Sequence, residues 1–224
     1  MICAVTTLRE IGSILAAFLF TLLAVALYGV LHSLLASFRA KRMAERALGP
    51  GAARAYRLLY NGLAAVTFLP VLAVPATNPG TLIYKIGWPW VLLTGLLQLA
   101  AAGAVLVGIM QTGAMSFLGV RQLMGPPTRE PTLVVAGLYR HVRHPLYTAG
   151  LVFIWLVPVM TTSVLALNLG LSAYLYFGSR FEERRLRAEF GEAYAKYQNS
   201  VPRLIPLPRR TWQDSNPESR PTTR

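Results

Sequence analysis

Arg143, His144 and Pro145 stand at one edge of a charge-free stretch, and Glu182 and Glu183 stand just past its other end, close to Arg180. Tyr139, Tyr147, Tyr194 and Tyr197 flank the two groups. If the stretch folds back on itself, its ends meet, and guanidinium, imidazole and paired carboxylates converge among phenol rings above an apolar floor. Such a pocket suits an amphipathic ligand with an aromatic or apolar part and a zwitterionic end. A basic residue before a helix-starting proline also marks the cytoplasmic end of a membrane helix. The elements that carry these residues must decide between the two.

The chain has 224 residues, 54% of them hydrophobic and 14% charged, with a formal net charge of +13. No Asp, Glu, Lys or Arg occurs from Ile11 to Phe38, Leu58 to Tyr84, Ile86 to Val120 or His144 to Ser179. Each run is long enough for a crossing, which takes about 20 apolar residues. The last run is interrupted near its middle by "VPVMTTS" (157–163) and reads as two short passes joined by a tight turn. The expected fold is an all-α integral membrane domain over 1–208, with five transmembrane helices near 11–36, 57–77, 86–110, 145–160 and 163–199. The fourth and fifth form a hairpin, and the fifth continues past the membrane as a cytoplasmic helical extension. A polar, Pro/Ser/Thr-rich tail, 209–224, is expected to be disordered.

Positive charge concentrates in 38–57, in 121–143 and after Arg180, whereas Arg9 and Lys85 are the cations of the other side. This alternation puts the N-terminus outside and the C-terminus in the cytoplasm, in a bacterial inner membrane. It accounts for the basic excess through orientation and anionic headgroups, so no nucleic-acid partner is implied. The first apolar run is too long for a cleaved signal segment. Cys3 is the only cysteine, which rules out an intrachain disulfide.

The loop 111–143 is long and partly apolar, and predicts a packed element on the cytoplasmic face. Beyond Ser179, a 100° step per residue puts Leu186, Phe190, Ala193, Tyr194 and Tyr197 on one helical face, with Glu182 and Glu183 at its edges. An acidic pair there needs partners. Arg187 and Arg185 on the same helix are local candidates, and the Arg143-His144 pair is the distant one. His141 and His144 at i,i+3 raise a metal site, but Pro145 breaks the helix such a pair would need, so none is expected. His32, beside Ser33 near the end of the first helix, reads as an interhelical hydrogen-bonding group or as a proton acceptor. Asn168 reads as a helix-joining residue, and Trp88 and Trp90 as an interfacial belt.

"GLYRHVRHPLYTAG" followed by "SRFEERRLRAEFGEAYAKYQNSVPRLIP" resembles the C-terminal signature of the isoprenylcysteine carboxyl methyltransferase and phospholipid methyltransferase superfamily. The matching residues are Arg143, His144, Pro145, Tyr147 and Gly150, then Glu182, Glu183, Tyr194, Tyr197 and Pro206. "LHSLLAS" (31–37), "YRLLYN" (56–61) and "FLGVRQL" (117–123) are similar to the branch that holds the NnrU proteins and the bacterial methanethiol S-methyltransferases. The resemblance implies a membrane methyltransferase that uses S-adenosyl-L-methionine. Its cofactor site would comprise Tyr139, Arg143, His144, Pro145, Tyr147, Glu182, Glu183, Tyr194 and Tyr197. Arg143 and His144 would take the methionine carboxylate and Glu182 or Glu183 the ammonium or ribose hydroxyls. Arg180 would orient the glutamates or hold a substrate anion, and His32 would be a catalytic base. The acceptor would be a small thiol or another lipid-soluble nucleophile. The alternatives are a non-catalytic accessory protein of nitrogen-oxide metabolism and an isoprenylcysteine or phospholipid methyltransferase.

Overall fold

The computed structural model describes residues 2–124 and 132–206. The expected tail, 209–224, lies outside them. In chain order come α1 (Ile2–Leu35), α2 (Phe38–Leu48), α3 (Pro50–Thr77), strand β1 (Leu82–Lys85), α4 (Trp90–Gln111), α5 (Ala114–Leu118) and α6 (Val120–Leu123). A 3-10 turn (Gly137–Arg140), α7 (Pro145–Trp155), strand β2 (Val159–Thr161) and α8 (Thr162–Ser200) follow. Among the described residues, three helical stretches are long and apolar enough to cross a membrane: Ile11–Leu35, Arg54–Thr77 and Trp90–Gln111. The shortest has 22 residues, about 33 Å of helix against a hydrocarbon core about 30 Å thick. By packing, the chain divides into two units.

The first unit comprises Met1–Thr94, Met115–Thr128 and Val157–Tyr174. Val25, Val71 and Leu167 are buried at its centre, with Tyr28, Phe68 and Leu171 packed against them, so α1, α3 and the start of α8 share one core. Helices approach closely there because Gly170 faces Val25 and Gly29 faces the Tyr174 ring. β1 and β2 pair antiparallel, Leu82 opposite Thr161 and Lys85 opposite Val159. This short pair is an addition to an otherwise all-α fold and stands where a tight turn was expected at 157–163. Val159-Met160-Thr161 is rich in β-branched residues, but its pairing with a strand far away in sequence leaves no local signature. The same strand ends α7 at Trp155, short of the expected residue 160.

The loop after α4 does form packed elements. Gly119, with φ +94°, lets the α5–α6 turn lie on α3, where a Cβ would come within 2.5 Å of the Leu58 backbone nitrogen. The Asn61 side chain secures that turn by donating to the carbonyls of Phe117 and Leu118, both at 3.0 Å.

The second unit comprises Gly95–Ala114, Arg129–Leu156 and Leu175–Arg224. Gln111, the last residue of α4, accepts a hydrogen bond from Leu138 N–H at 3.1 Å and so fixes the turn that leads into Arg143. α8 continues well past Ser179 but breaks at Gly191, which has φ 54° and ψ −126°. The break resets the helical phase. Tyr194 and Tyr197 turn inward with Val201 against Leu133, Val135, Leu186 and Phe190, whereas Ala193, expected on that face, is exposed. After Ser200 the chain runs back beside 143–148. Arg143 N–H donates to Pro202 O (2.9 Å) and His144 N–H to Arg203 O (3.1 Å), and the Thr148 hydroxyl donates to Leu204 O (2.6 Å).

Candidate active site

Pro145 opens α7 at its first turn, where a missing N–H costs nothing. His144 precedes it in a non-helical conformation (φ −123°, ψ 66°), which turns the imidazole toward α8. Glu182 and Glu183 bracket that ring: Nδ1 lies 3.5 Å from Glu182 Oε2 and Nε2 3.3 Å from Glu183 Oε1. Arg143 holds Glu183 Oε1 through Nε and Nη2, each at 2.7 Å. Its Nη1 donates to the carbonyls of Gln198 and Val201. Gln198 Nε2 donates to the other Glu183 oxygen at 3.3 Å. The Tyr147 hydroxyl donates to Glu182 Oε2 at 2.9 Å, and its ring stacks on His144 with centroids 5.3 Å apart.

The cluster balances its charges, two carboxylates against a guanidinium and an imidazolium. Burial alone would push the Glu183 carboxyl up, but hydrogen bonds from His144 and Arg143 and their positive charge outweigh it and bring the pKa down to about 2. Burial would likewise raise Glu182, and His144, Tyr147 and the Arg185 charge overcome it, so it too is lowered. For His144, burial disfavours the cation. Both ring nitrogens nevertheless face carboxylate oxygens, which only the doubly protonated ring satisfies, and its pKa is raised. Burial, then the Glu182 charge, push the Tyr139 phenol up to about 12.

The two glutamates differ in reach. The Glu183 side chain is 11% exposed and enclosed by protein donors, whereas that of Glu182 is 34% exposed. The hydroxyl of Tyr194 is buried with no hydrogen-bond partner among the described residues. The arrangement can therefore offer a partly exposed carboxylate beside a stacked aromatic pair to a cationic or hydroxyl-bearing ligand.

Comparison with known proteins decides the family. The chain is 31% identical over 195 residues to a methanethiol S-methyltransferase of Mycobacterium tuberculosis, an overlap of 84% of this chain and 78% of that one. It is 32% identical over 199 residues to methanethiol S-methyltransferase 2 of Bradyrhizobium diazoefficiens, covering 85% and 73% respectively. The chain belongs to this methyltransferase family. Human protein-S-isoprenylcysteine O-methyltransferase is a more distant relative, 28% identical over 134 residues that span 55% of this chain and 46% of that one. No family model matches, and no solved structure does.

Within the methyltransferase, Tyr139, Arg143, His144, Tyr147, Glu182 and Glu183 come together. The glutamates find their partners across the unit, at Arg143 and His144, and not in the intrahelical pairing of Glu183 with Arg187. Arg143 departs from the role expected of it. With Nε, Nη1 and Nη2 all engaged inside the protein, it positions Glu183 and the segment after α8 instead of reaching a ligand carboxylate. Tyr194 and Tyr197 sit in the core beneath, the Tyr197 hydroxyl donating to Tyr139 O at 2.5 Å. Arg180 forms no ion pair with the glutamates and stacks on the Tyr176 ring, 5.1 Å from its centroid.

His32 belongs to the first unit, where Tyr60 places its hydroxyl 2.5 Å from Nε2 and Tyr28 its own 3.4 Å from Nδ1. The Tyr174 ring stands edge-on to it. Sequence reasoning did not find Gln198, Thr148 or Gln111. The first two lie one helical turn from Tyr194 and His144, a spacing that would have placed them beside the motif residues.

Proposed function

We propose that the enzyme transfers a methyl group from S-adenosylmethionine to methanethiol or a closely similar small, lipid-soluble thiol, on the inner side of a bacterial membrane. The donor is supported by the chemistry of the second unit, above all the partly exposed Glu182 carboxylate beside Tyr147 and the stacked His144. The thiol is supported by the relatives' names and by overlaps that cover most of each chain, where the isoprenylcysteine enzyme is overlapped over less than half its length. Five passes are proposed, with α7 and the extended residues that follow it as the fourth, the charge-free part of α8 as the fifth, and the C-terminus in the cytoplasm.

When bound, S-adenosylmethionine supplies an electrophilic methyl carbon on a positively charged sulfur. Transfer to a thiol breaks that carbon–sulfur bond, forms a new one and releases the thiol proton, so the protein must bind, align, exclude water and accept a proton. Glu182 accepts from the ammonium or ribose hydroxyls, with Tyr147 fixing its orientation. His144 and Tyr139 line the same place, and Glu183 and Arg143 hold His144 there. Pro145 sets the start of α7. His32, held between Tyr60 and Tyr28, is the proposed proton acceptor for the thiol.

Calorimetric titration of the detergent-purified enzyme with S-adenosylhomocysteine tests the donor. Glu182→Gln is expected to weaken saturable binding by about tenfold, the loss of one charge-assisted contact. Unchanged affinity would remove Glu182 from the site, and no binding by a folded wild-type sample would overturn the donor assignment. A separate expectation concerns His32→Ala. Methanethiol turnover should fall by about 10²–10⁴ with S-adenosylhomocysteine affinity retained. Full turnover would reduce His32 to a link between helices.

A further inference from the structure

Tyr176 carries two guanidiniums. Arg180, one turn further along α8, lies 5.1 Å from its ring centroid, and Arg203, from the segment after the helix, lies 4.7 Å from it. The ring attracts each cation but carries no negative charge to neutralise either. Among the described residues neither arginine forms an ion pair. The nearby acids, Glu182 and Glu183, are taken by His144, Arg143 and Tyr147. Two cations gathered on one ring without an anion make a site that is complete only when an anion arrives.

The surroundings say which anion. Tyr176 lies in the last turn of the charge-free stretch that ends at Ser179, which on the five-pass topology proposed above is the depth at which α8 meets headgroups. Phe177, Phe181 and Ile205 beside it are large, apolar and exposed, the surface of a segment that lies against acyl chains. Arg184 repeats the pattern one turn out, stacked on Phe181 with its guanidinium carbon 5.5 Å from the ring centroid. Exposed aromatics below and paired guanidiniums above match a phospholipid whose chains run along the helix and whose phosphate sits at its exit. Arginine suits the phosphate because its planar fork of donors takes two oxygens at once.

We propose that Tyr176, Arg180 and Arg203 form a binding site for the phosphate of an anionic phospholipid. Arg203 gives the site a consequence. Its carbonyl accepts the His144 N–H, and the carbonyl of the next residue accepts the Thr148 hydroxyl, so a phosphate held by Arg203 secures the segment that flanks the His144–glutamate cluster.

The experiment is native mass spectrometry of the full-length enzyme in detergent, titrated with phosphatidylglycerol and, separately, phosphatidylcholine. Wild-type protein should retain phosphatidylglycerol in preference, and R180Q/R203Q should lower its apparent affinity by about thirtyfold, as expected for two phosphate contacts. The control R42Q/R46Q removes equal charge from the exposed face of α2 and should lower it far less. Equal losses in the two double variants would mean bulk attraction and overturn the site, as would equal retention by R180Q/R203Q and wild type. Displacement of the lipid by millimolar glycerol phosphate would overturn the lipid assignment in favour of a soluble phosphate ligand. Circular dichroism of R180Q/R203Q, expected to match wild type, separates lost binding from lost fold, and R180K/R203K, which keeps charge without the fork, should recover part of the affinity.

Discussion

Arg143→Ala should destabilise the second unit by about 3–5 kcal/mol, the range for breaking one side of a buried ion pair. The substitution removes the two guanidinium donors from Glu183 Oε1, leaving His144 Nε2, and the Nη1 contacts to the Gln198 and Val201 carbonyls. It therefore deprives an almost enclosed carboxylate of its two shortest contacts and frees two helix-end carbonyls at once. Removing the carboxylate's charge as well, in R143A/E183Q, should return part of the loss, because a neutral amide costs far less to bury. A cycle of wild type, both single variants and the double, followed by equilibrium unfolding in detergent, gives the coupling directly. Additive losses, or an Arg143→Ala cost below about 1 kcal/mol, would mean that the pair is solvated and that Arg143 remains available to a ligand. The same variant should lose S-adenosylhomocysteine binding indirectly, by releasing Glu183 and the turn that carries His144.

Stability should also be greatest in a window bounded by the two kinds of group in the cluster. Glu183 is lowered from 4.5 to about 2, so its contribution is present above pH 4.5 and is lost as pH falls from there toward 2. A depression of that size corresponds to roughly 3 kcal/mol. Glu182 is lowered as well and acts in the same direction. His144 is raised above 6.5, so its contribution is present below 6.5 and fades as pH rises through its folded value. The expected profile of melting temperature against pH has a plateau from about 4.5 to 6.5 with a limb on each side, set by these shifts. Glu183→Gln should flatten the acid limb and His144→Gln the alkaline one. Identical limbs in the variants and wild type would show that other residues set the pH response.

The distribution of charge made the long helices and the site residues legible in the sequence. Lipid excludes charge, so the runs ending at Phe38, Tyr84 and Val120 overlap α1, α3 and α4, although a helix end lies up to nine residues from the limit of its run. Arg143, His144, Glu182 and Glu183 stood out because buried charges require partners, and they found each other. Three matters were beyond any local pattern. The pairing of β1 with β2 joins segments remote in the chain, and period and propensity register only neighbours. The break at Gly191 depends on a positive φ that glycine permits but does not require, and beyond it Ala193, expected on the face of Tyr194 and Tyr197, is exposed. The division of labour between the glutamates, and the diversion of Arg143 to the carbonyls after α8, also came from tertiary structure. Adjacent, chemically identical residues differ only in what the fold brings against them.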